Sequence, residues 1–485
     1  MKVFDVAIVG LGATGVGLLN EMQKEVFACR SAKPSVVVLN NKISFARGKA
    51  FGDAAPIHIV NTSPTMMSAS SLEPDSFNKW LRNEHLEEVL WPTRIKFSKY
   101  LENIYFDIIR SEILLVHECQ DDVMNLNFLD NAFELTLDSG DIVMAREVVM
   151  CLGAIKSNNF NDISQQKGFI RHHSEFVSSL ESHVIIAGAG LTAVDAFLHV
   201  NKLNESKVSM FSRTGLAPTC LTKSSQYIPK YLSWNAILRE NKRRPLQSFI
   251  KLLLAEHRAL QDKSEFKPAL RLMQAGKQAE YFNYLESRAL NGDLPWQDVL
   301  ISTRSWFPDF WRSMSIDERS FFIKKFGALW ASWRHPIPMS SFSQLRDSVQ
   351  KEQLRIYKSI SNPEYHENSF RLFTEQGVLD SDIFWDATGG SDILENVENP
   401  LLKNLFMNEY IQPHSCGGIM IDPQTFSVIA KRKDIEGLYN IGPLNKGELF
   451  STNAYWFNAN CSERWAQQWV KRFTSKFEQL SKVSA

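Results

Sequence analysis

The opening stretch constrains the fold more than any other. Val3-Phe4-Asp5-Val6-Ala7-Ile8-Val9 is an apolar run that closes directly on Gly10-Leu11-Gly12-Ala13-Thr14-Gly15. A buried strand placed here must end in a tight turn and hand over to a helix. Gly10 permits the turn. Gly12 carries no side chain to keep a pyrophosphate off the backbone. Gly15 lets the helix pack against the strand. The helix N-terminus then offers free N–H groups to an anion. The reading is a dinucleotide site at Gly10, Gly12, Ala13, Thr14 and Gly15. A glycine-rich turn in an α/β core is the plain alternative.

A chain of 485 residues is too long for one hydrophobic core, so two or three domains are expected. Lys+Arg and Asp+Glu both number 54, and this balance gives no reason to expect nucleic acid or an anionic membrane as partner. No stretch approaches 18 apolar residues, and Met1 runs almost directly into the first strand. Neither a membrane span nor a signal peptide is therefore expected. Cys29, Cys119, Cys151, Cys220, Cys416 and Cys461 form no CxxC pair. That argues against a dithiol redox centre, a zinc knuckle or an iron–sulfur cluster. A reducing cytoplasm fits this usage.

Val36-Val37-Val38-Leu39 is a second β-branched run, ending at Asn40. A nucleotide fold usually has Asp or Glu there to accept hydrogen bonds from ribose hydroxyls. Asn40 lacks the charge and keeps an acceptor oxygen. A loop punctuated by Gly48, Gly52 and Asn61 and rich in Met follows, through Pro64-Thr65-Met66-Met67-Ser68. A helical region is expected from Ser71 to Leu81 and a helix from Tyr100 to Leu115. Asn125 to Leu137 alternates like a β meander, turning at Asp138-Ser139-Gly140. Glu147 to Leu152 is a buried strand ending on Gly153.

The first pattern then recurs about 180 residues on. His183-Val184-Ile185-Ile186-Ala187 leads into Gly188-Ala189-Gly190-Leu191-Thr192-Ala193, a GxGxxA turn after a strand. Asp195, inside the helix, must face away from any phosphate. Val208 to Phe211 is the matching second strand and ends in Ser212-Arg213, where a plain ribose would call for an acid. Serine and arginine suit a 2′-phosphate, so NADPH is favoured over NADH. Two such units in one chain suggest one bound flavin and one nicotinamide that reduces it.

From Gly215 to about Ser340 the periodicity is mostly helical. Leu246 to Leu260 is one helix, and Met314 to Trp333 is another. Ser315 and Glu318 form the second helix's capping box, and Phe322, Phe326, Leu329 and Trp333 form one stripe. The Trp residues between Trp296 and Trp333 read as core, with an aromatic wall around a planar substrate as the alternative, and Arg334-His335 as a surface or structural pair that could instead point at a pocket. A short strand returns at Asp382 to Asp386, closing on Ala387-Thr388-Gly389-Gly390. Gly437 to Ile441 is the last strand. Gly442, Pro443 and Gly447 mark an anion- or oxygen-binding turn before a closing helical stretch from Ser451 to Phe473.

On these stretches, the chain resembles the two-dinucleotide-binding flavoprotein superfamily. The stretches are Gly10 to Gly15, Pro56 to Ser68 with Trp80 and Leu81, Gly188 to Asp195, Ser212 to Pro218, Trp333 to Pro338, Asp386 to Gly389 and Gly442 to Gly447. They span nearly the whole length. The resemblance implies an α/β chain with two Rossmann-like dinucleotide-binding domains, glutathione-reductase-like, with a helical insertion. An FAD-binding domain would comprise residues 1–160 and 375–485. An NAD(P)-binding domain would comprise 161–374, with the Trp-rich insertion at about 215–340. Beyond the first glycine turn, FAD is expected to touch Asn40, Asn61, Met67, Val123, Gly153, Gly389, Gly442, Pro443 and Gly447. NADPH is expected at Gly188, Gly190, Leu191, Thr192, Ser212 and Arg213.

More distantly the chain is similar to NADPH-dependent flavin monooxygenases, including amine N-hydroxylases and Baeyer–Villiger enzymes. The absent CxxC disfavours a disulfide reductase. No Baeyer–Villiger signature is visible at Phe211 to Pro218. The resulting expectation is an NADPH-dependent FAD monooxygenase using molecular oxygen on a small amine or aromatic substrate. An FAD oxidase or dehydrogenase with a vestigial nicotinamide site and a non-catalytic FAD protein are the alternatives. No catalytic acid or base, metal ligand or oligomeric state is assigned.

Overall fold

The computed structural model describes residues 2–30, 32–84, 90–129, 131–177, 182–203, 206–221, 227–260, 266–292, 294–432 and 435–483. The chain divides into two compact units, residues 1–158 with 390–485, and residues 159–389.

In the first unit the apolar run Val3–Val9 is the central strand. It pairs in parallel with Ser35–Leu39 on one side and Ile142–Met150 on the other. Val6, Ala7 and Ile8 have no exposed surface, as expected of a strand covered on both faces. Leu115–Cys119 extends the sheet beyond Ser35–Leu39. The strand Ile142–Met150 has two roles. Its first half pairs antiparallel with Ala132–Leu137, part of the meander with Val123–Leu129. Its last residues pair in parallel with Leu438–Asn440. The late segment Leu438–Asn440 is thereby brought into the same sheet as Val3–Val9. Helix Ala13–Cys29 packs on helices Arg94–Ser111 and Tyr455–Val483.

Two helices differ from the sequence reading. The helix expected over Tyr100 to Leu115 spans Arg94–Ser111. Glu112 turns left-handed at φ 50°, and Leu115 instead opens the strand that follows. Leu115 and Val116 pair with Ser35 and Val36 of the neighbouring strand, which suits an apolar β-branched run. The helix expected from Ser71 begins only at Ser76 and runs to Asn83, burying Phe77 and Leu81.

The second unit has a parallel sheet in the order Leu354–Lys358, Lys207–Ser212, His183–Ala187, Ile383–Asp386 and Phe169–Ile170. Residues 375–389 were expected in the first domain. They fall in the second unit, because Ile383–Asp386 pairs directly with His183–Ala187. Helices run from Trp234–Asn241 to Met339–Gln350. Helix Pro245–Ala259 starts on its proline, which has no N–H to leave unpaired. Helix Ile316–Arg334 carries the capping box: Glu318 N–H donates to Ser315 Oγ, and Ser315 N–H to Glu318 Oε2. Trp296, Trp311, Trp330 and Trp333 are buried, and Trp306 is half-buried. Of the surface or structural role expected of Arg334, its burial rules out the surface: it is only 5% exposed.

Candidate cofactor sites

In each unit the glycine turn lies at the carboxyl edge of adjacent parallel strands, where open α/β sheets bind ligands. In the first unit Val9, Met150 and Asn440 are register partners across three strands. The chain then continues into Gly10, into Cys151-Leu152-Gly153, and into Ile441-Gly442. In the second unit Ala187 is level with both Phe211 and Asp386. Here the chain continues into Gly188, into Ser212-Arg213, and into Ala387-Thr388-Gly389.

The two turns are built alike. Gly10 N–H donates to Leu39 O at 2.8 Å, and Gly188 N–H to Phe211 O at 2.7 Å. Both glycines have positive φ, 97° and 119°. A Cβ on Gly10 would run into the carbonyl of Cys151, and one on Gly188 into that of Ala387. Two residues beyond each carbonyl stands another left-handed glycine, Gly153 or Gly389. Gly15 has the expected reason for being glycine, since a side chain there would strike Gly10 O. Ala193 holds the corresponding position in the second unit, with its Cβ 3.4 Å from where one on Gly188 would be.

Helix Ala13–Cys29 has no side-chain cap. Its first hydrogen bond runs from Val16 N–H to Gly12 O, so the N–H groups of Ala13, Thr14 and Gly15 have no intrahelical acceptor. A Cβ placed on Gly153, Gly442 or Gly190 would meet nothing within 4 Å. Uncapped donors and open glycine surface at a strand edge suit a pyrophosphate and its flanking groups. The residues present therefore fit a dinucleotide in each unit.

Several expected contacts take other roles. Asn40 braces the turn: its Oδ1 accepts from Leu11 N–H at 3.3 Å, and its amide donates to Asn41 O and Ser44 Oγ, both at 3.1 Å. The space beside Gly12 holds the Cα of Gly48, 3.1 Å from an ideal Cβ, so Gly12 admits the following loop as much as any ligand. Met67 and Val123 lie in the core, and Asn61 is half-buried. The turn at Gly442 does not lead into a fresh long helix. A 3-10 turn at Pro443–Asn445 and the four-residue helix Lys446–Leu449 intervene, ended by Phe450 at φ 57°. The closing helix starts at Tyr455. Gly447 packs against His414, whose ring a side chain there would strike.

In the second unit Leu191 and Thr192 open helix Leu191–Leu203. Ser212 Oγ accepts from Gly215 N–H at 2.9 Å, which curls the chain after the strand. Arg213 is exposed and makes no ion pair among the described residues. Asp195 is buried.

Sequence reasoning missed three residues of the first unit, two beside the first turn and one beside Gly447. Gly48 was noticed only as loop punctuation. Tyr455 donates its hydroxyl to Ala13 O at 3.2 Å, and nothing in its local sequence signals this. His414 Nε2 lies 3.2 Å from Glu448 Oε1, while its Nδ1 accepts from Cys416 N–H at 2.9 Å. Among the described residues no cysteine is in a disulfide, and burial pushes the thiols of Cys151 and Cys220 upward, keeping them protonated. Among the described residues no group of three His, Cys, Asp or Glu could hold a metal ion. No helix among them is long and apolar enough to cross a membrane.

Residues 7–155 match a protein family described as FAD-NAD(P)-binding. None of the curated proteins matches the sequence significantly. Among solved structures, an ornithine hydroxylase from Pseudomonas aeruginosa aligns over 97% of this chain and 100% of its own. It has 14% identity and a TM-score of 0.63. An L-lysine 6-monooxygenase from Pseudomonas syringae aligns over 96% and 99%, with 14% identity and a TM-score of 0.61. An ornithine N-hydroxylase from Kutzneria sp. 744, described with reduced FAD, NADP+ and L-orn, aligns over 97% and 100%, with 12% identity and a TM-score of 0.60. Residues 7–155 are thus similar to an FAD-NAD(P)-binding family, and the chain as a whole shares its fold with these hydroxylases.

Proposed function

We propose that this chain is an FAD-dependent oxidoreductase that draws electrons from NADPH and oxygenates a small amine or aromatic molecule. The observation that carries the reading is the repeat itself. Gly10 against Cys151 O and Gly188 against Ala387 O are the same construction in two units, and two dinucleotides in one chain are a donor and an acceptor. The first unit is assigned to FAD and the second to NADPH. Likeness in fold to three amine hydroxylases supports the oxygenase reading. The lack of any CxxC pair in the sequence favours it over a dithiol enzyme. A cytoplasmic setting is part of the same proposal.

FAD supplies the redox chemistry when bound. The protein's share is binding and orientation. Uncapped N–H groups at Ala13, Thr14 and Gly15 hold the pyrophosphate, and Gly153 and Gly442 leave the strand edge open to it. In the second unit Gly190, Leu191 and Thr192 receive the nicotinamide pyrophosphate. Arg213 meets the 2′-phosphate with Ser212 beside it, while Gly389 keeps the edge clear. Anaerobic stopped-flow reduction of the FAD-loaded protein by NADPH and by NADH tests the reading. Rapid bleaching by NADPH, followed in air by oxygen uptake without matching peroxide release in the presence of amines, supports it. Protein that retains no FAD, or bound FAD that neither nucleotide reduces with or without candidate amines and aromatics, overturns it.

A further inference from the structure

Arg334 ends helix Ile316–Arg334 inside the helical part of the second unit, 5% exposed. Its guanidinium lies 5.5 Å from the ring centre of Trp330 and 5.9 Å from that of Phe307. Nη1 donates to His335 Nε2 at 3.3 Å, which makes that ring nitrogen an acceptor and the imidazole neutral. The Ala331 backbone is the ring's other partner. Among the described residues, the buried Nε and Nη2 of Arg334 meet no acceptor, and neither does the buried indole N–H of Trp330. A second cation, half-buried Arg304, acts on it electrostatically and has no ion pair among the described residues. Burial and then Arg304 pull the Arg334 pKa down to about 9.

A buried guanidinium without an anion is costly, and a second arginine beside it raises the cost. Nε–H and an Nη2–H form the side edge of the guanidinium, two parallel donors spaced for the two oxygens of a carboxylate. The rings of Trp330 and Phe307 lie within cation–π range of the guanidinium. Trp330 Nε1 offers a further donor. Phosphate, with more oxygens and up to two charges, would leave acceptors unmet in so enclosed a place.

We propose that Arg334, with Arg304 supplying long-range charge, is a binding site for a small organic carboxylate. This does not rest on the assignment of FAD or NADPH. The test measures thermal shift and calorimetric affinity on the full-length protein. Acetate and benzoate are compared with inorganic phosphate and chloride at constant ionic strength in a bulky sulfonate buffer. A carboxylate should raise Tm saturably in the wild type. Arg334→Met should match or exceed the wild-type Tm without added anion, since an unpaired buried charge is replaced by an apolar chain. It should also lose about ten- to a hundredfold in carboxylate affinity. Arg304→Gln, which changes only a half-buried neighbour, should lose several-fold in affinity even if Arg334→Met does not fold. Arg213→Ala should bind carboxylate like the wild type. The proposal is overturned if neither carboxylate gives a saturable shift, if phosphate or chloride does as well, or if affinity survives in both arginine variants.

Discussion

The carbonyl oxygen of Cys151 stands where a side chain on Gly10 would have to go, and that of Ala387 stands likewise against Gly188, 2.6 Å from an ideal Cβ. In each unit, then, the first glycine of the turn is locked to the end of a neighbouring strand by backbone alone. The substitutions Gly10→Ala and Gly188→Ala each combine a clash with rigid backbone and a left-handed φ. Each should cost roughly 2–4 kcal/mol. Urea unfolding followed by circular dichroism checks this. Gly10→Ala should also release FAD, whereas Gly188→Ala should keep it. Wild-type stability in either variant would contradict the packing argument.

The sequence made the turns legible because their chemistry is local. A strand, a glycine at positive φ and a helix start lie within a few residues, and only glycine fits. The partner carbonyls of Cys151 and Ala387 were not legible as such, since that contact depends on which strand lies beside which. Asn40 shows the limit more sharply. Its place after the second strand suggested a ribose ligand, but its amide is used within the loop by Leu11, Asn41 and Ser44. Tyr455 reaches Ala13 from a helix hundreds of residues away in the chain, and no local pattern encodes that. Arg334 is the converse case. A charged residue at a helix end reads as surface, and only the packing of Phe307 and Trp330 around it shows otherwise.

Gly190 separates binding from folding in the second unit. It has ordinary φ, and a Cβ there would meet nothing within 4 Å. Gly190→Leu should therefore change stability by no more than about 0.5 kcal/mol. If the surface at Gly190 receives a nicotinamide pyrophosphate, the same variant should hold FAD normally and lose reduction by NADPH. Unchanged reduction kinetics would remove Gly190 from the site.

Arg213 is the residue that should choose between nucleotides. It follows the second strand of its unit, exposed and without an ion pair among the described residues. A charge-assisted contact to a 2′-phosphate contributes roughly 1.5–3 kcal/mol. Arg213→Ala should accordingly raise the NADPH KM about ten- to a hundredfold and leave that for NADH nearly unchanged. Equal effects on both nucleotides would assign Arg213 to something other than the 2′-phosphate.

Glu256 should make the helical part of the second unit sensitive to acid. Its side chain has no exposed surface. One oxygen accepts from Lys230 N–H at 2.8 Å and Tyr227 Oη at 2.5 Å; the other accepts from Tyr231 N–H at 2.5 Å and Leu232 N–H at 2.8 Å. Burial alone would raise its pKa, but these donors outweigh it and hold the carboxyl below its ordinary value. Because the folded pKa lies below the unfolded one, the carboxylate's contribution is fully present above about pH 4.5. It is lost as pH falls through the folded value. Glu256→Gln keeps the shape but replaces one acceptor oxygen by an NH2 that faces donors. The variant should lose about 2–4 kcal/mol at pH 7. The gap to wild type should shrink as pH drops below about 4.5, because the wild-type carboxyl is then neutralised too. Urea unfolding of both proteins at several pH values from 7 to 3.5 checks this. A gap that stays constant across that range would mean that the Glu256 charge does not hold the Tyr227 to Leu232 segment in place.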